Sequence, residues 1–128
     1  MKAILDTHAF LWGIGGDPRM SQHAQEIFTG PSDLSLSLVS IWEILIKVQL
    51  GKLELPRPAG PYILGKLAEN NIETLAIDLD HLLAFERLPM HHRDPFDRML
   101  VAQGIEEGLP IVTADPLFSR YPVEVIWN

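Results

Sequence analysis

The chain has no cysteine, which excludes a disulfide framework, a thiolate-held zinc and a cysteine nucleophile. Basic residues are scarce: 10 Lys and Arg stand against 17 Asp and Glu, for a formal net charge of −7. That imbalance argues against a module that grips nucleic acid through a basic stripe. An acidic protein can still handle a polyanion when cations screen its carboxylates, and it can be acidic because its partner is basic. Long hydrophobic runs are missing too. Leu34 to Leu50 is the most apolar stretch, but Glu43 and Lys47 interrupt it, which argues against a membrane span. Asp6 breaks MKAILDTHAFLW in the same way, so no signal peptide is read there and the cytoplasm is the expected location. Repeats, low-complexity tracts and long linkers are absent, and 128 residues suit a single domain, 1–128, with a real core.

What is present alternates between short apolar strands and helices. Lys2 to Leu5 reads as a buried strand. Ser21 caps a helix through about Thr29, and Gly30-Pro31-Ser32-Asp33 is a turn. Leu34 to Leu38 has the two-residue period of a strand. Ser40 then opens a helix that Gly51 closes. Pro56 to Pro61 is a connector, followed by a helix over Tyr62 to Asn70, an extended Glu73 to Ala76 and a helix over Asp78 to Leu88. After a loop over Pro89 to Arg93, a helix runs from Pro95 to Gly108, with Pro at its first position and Gly at its end. A strand over Ile111 to Thr113, a turn or short helix over Pro116 to Tyr121 and a strand over Val123 to Ile126 complete the pattern. Such alternation predicts an α/β domain with a mainly parallel central sheet.

In sheets of that kind the site lies beyond the carboxyl ends of the strands. Asp6 follows Ala3-Ile4-Leu5 and Asp115 follows Ile111 to Ala114, so two acids occupy equivalent strand ends. Capping the next helix would explain either one alone. HHRDPFDRML (91–100) adds a closely spaced pair. Asp94, immediately before Pro95, is placed to cap, whereas Asp97 starts the apolar face continued by Leu100 and Val101. A carboxylate on that face is costly unless something pairs with it. Glu43 fits a capping box with Ser40, but it sits among Ile41, Trp42, Ile44, Leu45 and Ile46. Four acids from four segments, Asp6, Glu43, Asp97 and Asp115, can therefore converge. Clustered carboxylates take up protons unless cations intervene. Hard oxygen ligands suit Mg²⁺ or Mn²⁺, and paired ions of this type hydrolyse phosphodiesters without a side-chain nucleophile.

The motifs ILDTH at 4–8, S-x-W-E-I at 40–44, HRDPFDRMLVAQ at 92–103 and LPIVTAD at 109–115 together resemble the PIN domain. More narrowly, they resemble VapC-type toxins of bacterial type II toxin–antitoxin systems, with the motifs in the family's order over nearly the whole chain. The resemblance implies a three-layer α/β/α fold and a Mg²⁺-dependent ribonuclease toxin, with Mn²⁺ as the alternative ion. It also implies an RNA substrate, a homodimer and a cognate antitoxin, and the −7 charge independently favours a basic inhibitory segment in that partner. The catalytic set carried over is Asp6, Glu43, Asp97 and Asp115, with Asp6 and Asp97 as direct metal ligands and Thr113 in support, its hydroxyl holding a water or a carboxylate.

Other residues have structural readings. His91 and His92 are assigned to the loop, His8 to packing with Ala9 to Trp12, Arg93 and Arg98 to solvated surface, and Trp12, Trp42 and Trp127 to core or interface. Competing functions fit less well. A haloacid-dehalogenase-type phosphatase needs a second Asp two residues after the first, where His8 stands; a response-regulator receiver needs a Lys after the late strand, which here ends in Thr113-Ala114-Asp115. A noncatalytic binding module, its cluster kept for a partner, is the remaining alternative.

Overall fold

A computed structural model describes residues 1–128. Five parallel strands form one sheet in the order β3-β2-β1-β4-β5, with β1 at Lys2–Leu5, β2 at Asp33–Ser37, β3 at Glu73–Leu75, β4 at Ile111–Val112 and β5 at Val125–Ile126. Helices α1 (Thr7–Gly15), α2 (Gln22–Thr29), α3 (Leu38–Gln49), α4 (Ala59–Glu69), α5 (Leu79–Glu86) and α6 (Pro95–Glu107) connect them, and a 3₁₀ turn over Pro116–Arg120 links β4 to β5. None is long and apolar enough to cross a membrane.

The central strand β1 is buried on both faces, so its sequence runs apolar rather than alternating with polar residues. In β1, Ala3 and Leu5 join the core built with Phe10 of α1, Phe28 of α2, Ile44 of α3 and Ile63 of α4. Ile4 points the other way, into the core made by Leu100 and Val101 of α6, Ile111 of β4 and Phe118. The result is the three-layer α/β/α arrangement. Ile4 and Leu5 pair with Ile111 and Val112, while β2 lies on the other side of β1. The strand order therefore reverses between β1 and β4, and a crevice opens beyond their carboxyl ends.

Three local expectations need correction. The stretch after Asp6, left without an element by its pattern, is α1; it is apolar on most sides, so no helical period stands out. The helix expected from Ser40 starts at Leu38, because Ser37 is the cap and its hydroxyl accepts from the Val39 amide at 3.1 Å. The helix expected from Tyr62 starts at Ala59, since Pro61 lies in the first turn, where its missing N–H costs nothing. Gly51 does follow α3 with φ +72°, a left-handed conformation that glycine adopts without penalty.

Close packing between α1 and α2 depends on Gly13. A β-carbon there would lie 2.4–2.7 Å from three atoms of the Phe28 ring, and that ring is buried. Gly13→Ala is expected to destabilise the protein by about 1–3 kcal/mol through overpacking, despite the helix propensity gained. Urea-induced unfolding at constant pH checks this, and an unchanged midpoint would contradict the packing.

Candidate active site

Asp6 is the residue after β1, and its backbone N–H still donates to the Val112 carbonyl at 3.0 Å. It shares the strand parity of Ile4, so its side chain follows Ile4 toward the α6 side. There it caps α1 by accepting from the Ala9 amide at 2.7 Å and takes a 2.6 Å bond from the Thr113 hydroxyl. Thr113 reaches it because Ile111 pairs with Ile4, which puts positions 113 and 6 side by side. Burial pushes the Asp6 carboxyl above the usual carboxylate range, against the lowering effect of these two bonds and of His8.

The same crevice receives acids from three other segments. Asp115 caps the 3₁₀ turn through a 2.9 Å bond from the Leu117 amide. Its own amide donates to Thr113 Oγ1 at 3.0 Å. Glu43, one turn into α3, is buried. The Thr7 hydroxyl donates to its Oε1 at 2.7 Å, and Lys47 Nζ lies 3.0 Å from its Oε2. The capping box expected with Ser40 is therefore replaced by a tertiary contact to the residue beside Asp6. Asp94 accepts from the Phe96 and Asp97 amides at 2.8 and 3.2 Å and caps α6. Asp97 makes no cap and faces the crevice. Its carboxyl is pushed up to about 8, first by burial and then by the charges of Asp94, Asp6, Glu43 and Asp115. The structure thus gathers Asp6, Glu43, Asp97, Asp115 and Thr113 at one place.

Several side chains read as structural from the sequence lie here too. His92 Nε2 is 2.8 Å from Asp115 Oδ2 and 3.2 Å from Asp97 Oδ2. These three residues present ligand atoms within 4.8 Å of one another. His8 is exposed and lines the cleft mouth with Asp6, Trp12, Arg19 and Asp115 rather than packing inside. Arg98 is not freely solvated: it donates to the Leu88 carbonyl at 3.2 Å and lies over the Phe85 ring. Trp42 is 59% exposed and meets Phe96 edge-on, whereas Trp12 and Trp127 contact each other. Short-range spacing carried no sign of the His92 contacts, because both its acidic partners are supplied by the fold.

A doubly wound parallel sheet with carboxylates crowded at its reversal point defines an α/β protein whose acidic cluster could hold a metal ion. The family model of the PIN domain matches residues 3–124, and the chain belongs to the PIN domain family. It is 27% identical over 113 residues to Ribonuclease VapC22 of Mycobacterium tuberculosis, covering 88% of this chain and 85% of that protein. Its fold is similar to that of VapBC2 from Rickettsia felis bound to a DNA fragment from their promoter, with a TM-score of 0.75 at 15% identity over 100% of both chains. DNA-bound VapBC from Salmonella typhimurium gives a TM-score of 0.72 at 19% identity, over 98% of this chain and 97% of that one.

The two aspartates of DPFD should behave oppositely. Because the folded protein holds a proton on Asp97 up to about pH 8, and the unfolded chain releases it near pH 4, the native state binds more protons between those values. Stability of the metal-free protein is therefore lost as pH rises through that window. Asp97→Asn should flatten the slope and raise stability at pH 8 by about 1–2 kcal/mol. Asp94→Ala should cost about 1 kcal/mol at both ends through the lost cap. Denaturant midpoints at pH 5 and pH 8 in the presence of chelator check both, and a steep slope retained in Asp97→Asn would contradict the assignment.

Proposed function

We propose that this PIN-domain chain is a Mg²⁺-dependent ribonuclease, with Mn²⁺ as a second competent ion, acting as the toxin of a type II toxin–antitoxin pair. Asp97 carries the reading: a half-buried carboxylate facing three others has a large unmet need for positive charge. Similarity to Ribonuclease VapC22 and to VapBC assemblies supports it. The donors fit a hard cation, since the cluster offers carboxylate oxygens, a threonine hydroxyl and no thiolate. Asp6 and Asp97 would hold the ion directly, with Asp115 and Glu43 completing the negative shell. When bound, the cation acidifies a water and neutralises charge on a phosphodiester.

The chain's own residues do the positioning. Thr113 and the Ala9 amide each bind one oxygen of Asp6, so one lone pair on each oxygen is committed and the carboxylate plane is set. Thr7 and Lys47 hold Glu43 from both sides. The amino ends of α1 and α6 point at the crevice, with Asp6 and Asp94 at their caps, and their dipoles favour negative charge there, including a phosphate's.

The antitoxin is expected to cover two adjoining surfaces. An apolar groove lined by Leu11, Ile14, Leu53, Leu55 and Tyr62 shares His8, Trp12 and Arg19 with the acidic cleft. An amphipathic helix carrying a Lys or Arg would fill the groove and place its cation against Asp6 and Asp97. A homodimer is supported by exposed apolar side chains elsewhere. Leu38 and Trp42 lie one turn apart on α3, while Leu79, Leu82 and Leu83 stand on α5, which packs along the α6 that Trp42 touches. Residues 1–128 act as one domain in the cytoplasm.

Asp6→Asn should retain the fold by circular dichroism and lower Mg²⁺-dependent cleavage of RNA on the order of 100-fold or more. Cleavage that survives the substitution, or hydrolysis of small phosphomonoesters in its place, would contradict the ribonuclease reading. Antitoxin affinity should fall for the Asp6→Asn/Asp97→Asn double variant. Equal affinity in calorimetry would mean that the partner binds away from the acids.

A further inference from the structure

His92 belongs to neither the acid set nor the metal pair, yet its ring makes two short contacts in the crevice. Its backbone is anchored first. The Tyr121 hydroxyl oxygen accepts from the amides of His91 and His92 at 3.1 and 2.8 Å, pinning the loop that leads into α6. The ring is 11% exposed and stands edge-on to Phe118, with centroids 5.9 Å apart. Its Nδ1 accepts from the Asp94 amide at 3.1 Å. An imidazole nitrogen that accepts an amide proton carries none of its own, so the ring proton sits on Nε2. That nitrogen is the one between Asp115 Oδ2 and Asp97 Oδ2, at 2.8 and 3.2 Å.

The tautomer decides between two roles. A metal-binding Nε2 needs a free lone pair, with the proton on Nδ1 donated to an outer acceptor. Here Nδ1 meets a donor instead. Within the grouping of His92, Asp97 and Asp115, the ring is therefore a brace for the carboxylates and not a ligand. We propose that His92 is a positioning residue that stays off the metal: its Nε2–H donates to Asp115 while the ring edge stands 3.2 Å from Asp97 Oδ2, which sets the spacing at which the two carboxylates meet a cation. The Asp97 carboxylate accepts no hydrogen bond, so the His92 ring beside it is the polar contact that limits where it stands. An all-oxygen shell held in this way suits Mg²⁺ and Mn²⁺, whereas a nitrogen ligand would draw the site toward zinc and copper.

The proposal rests on the cluster being a metal site, and the experiment separates the two. Mn²⁺ bound to the full chain is the probe, read by calorimetry and by pulsed electron paramagnetic resonance. Wild type should bind Mn²⁺ without the coupling of a directly bonded ¹⁴N. Long-range ¹H–¹⁵N spectra should show a protonated Nε2 and an unprotonated Nδ1 on His92, both metal-free and with Mg²⁺. His92→Ala should weaken Mn²⁺ binding about 10- to 100-fold. His92→Gln, whose amide nitrogen can replace the Nε2–H donor, should restore most of it. Direct ¹⁴N coordination, or a Gln variant as weak as the Ala variant, overturns the brace while leaving the metal site standing. Failure of wild type to bind Mn²⁺ at all overturns the metal-site reading and the brace with it. The spectra of wild type decide the matter even where a variant folds poorly.

Discussion

Mutual repulsion among carboxylates is the constraint around which this fold is arranged. Asp6, Glu43, Asp97 and Asp115 are brought together with little water to screen them, and like charges in such surroundings are expensive. Three of the acids are each met by one donor near in sequence and one from a distant segment. Asp6 has Thr113 and the Ala9 amide, Glu43 has Thr7 and Lys47, and Asp115 has the Leu117 amide and His92. Asp97 shares the His92 ring and is left with the greatest charge deficit. A cation or a partner's guanidinium would answer that deficit, which makes the site receptive to both by the same physics.

Much of this was legible in the sequence because strand ends and helix starts have strong local signatures. Asp6 and Asp115 follow apolar strands, and the parallel topology then dictates that they meet at the same sheet edge. The contrast between Asp94 and Asp97 was readable from Pro95 alone. Proline at the first helical position makes the preceding residue the cap, and three residues on the helix turns its next acid toward the sheet. The apolar run of β1, the Leu-Ser alternation of β2 and the glycines after α3 and α6 marked element boundaries in the same way.

What escaped was tertiary. Ser40 has the spacing of a cap, but Ser37 occupies that position, and the Ser40 hydroxyl lies 2.9 Å from Thr7 instead. The helix α1 was hidden because its apolar residues Ala9, Phe10, Leu11, Trp12 and Ile14 run nearly consecutively and show no single apolar stripe. His92 escaped for the simplest reason. Two residues from a cap it has no pattern of its own, and its acidic contacts come from α6 and from a loop beyond β4.

The bond between Thr113 and Asp6 spans 107 residues of chain, and it has a consequence for synthesis. During synthesis Asp6 is made long before Thr113 and lacks that partner until β4 has paired with β1. Until residues 111–115 are available, β1 has no β4 neighbour and the crevice has only one wall. Long-range pairing of this kind forms late. Assembly of the acidic crevice is thereby tied to residues 111–115, so the site stays incomplete while only the segments before them have been made.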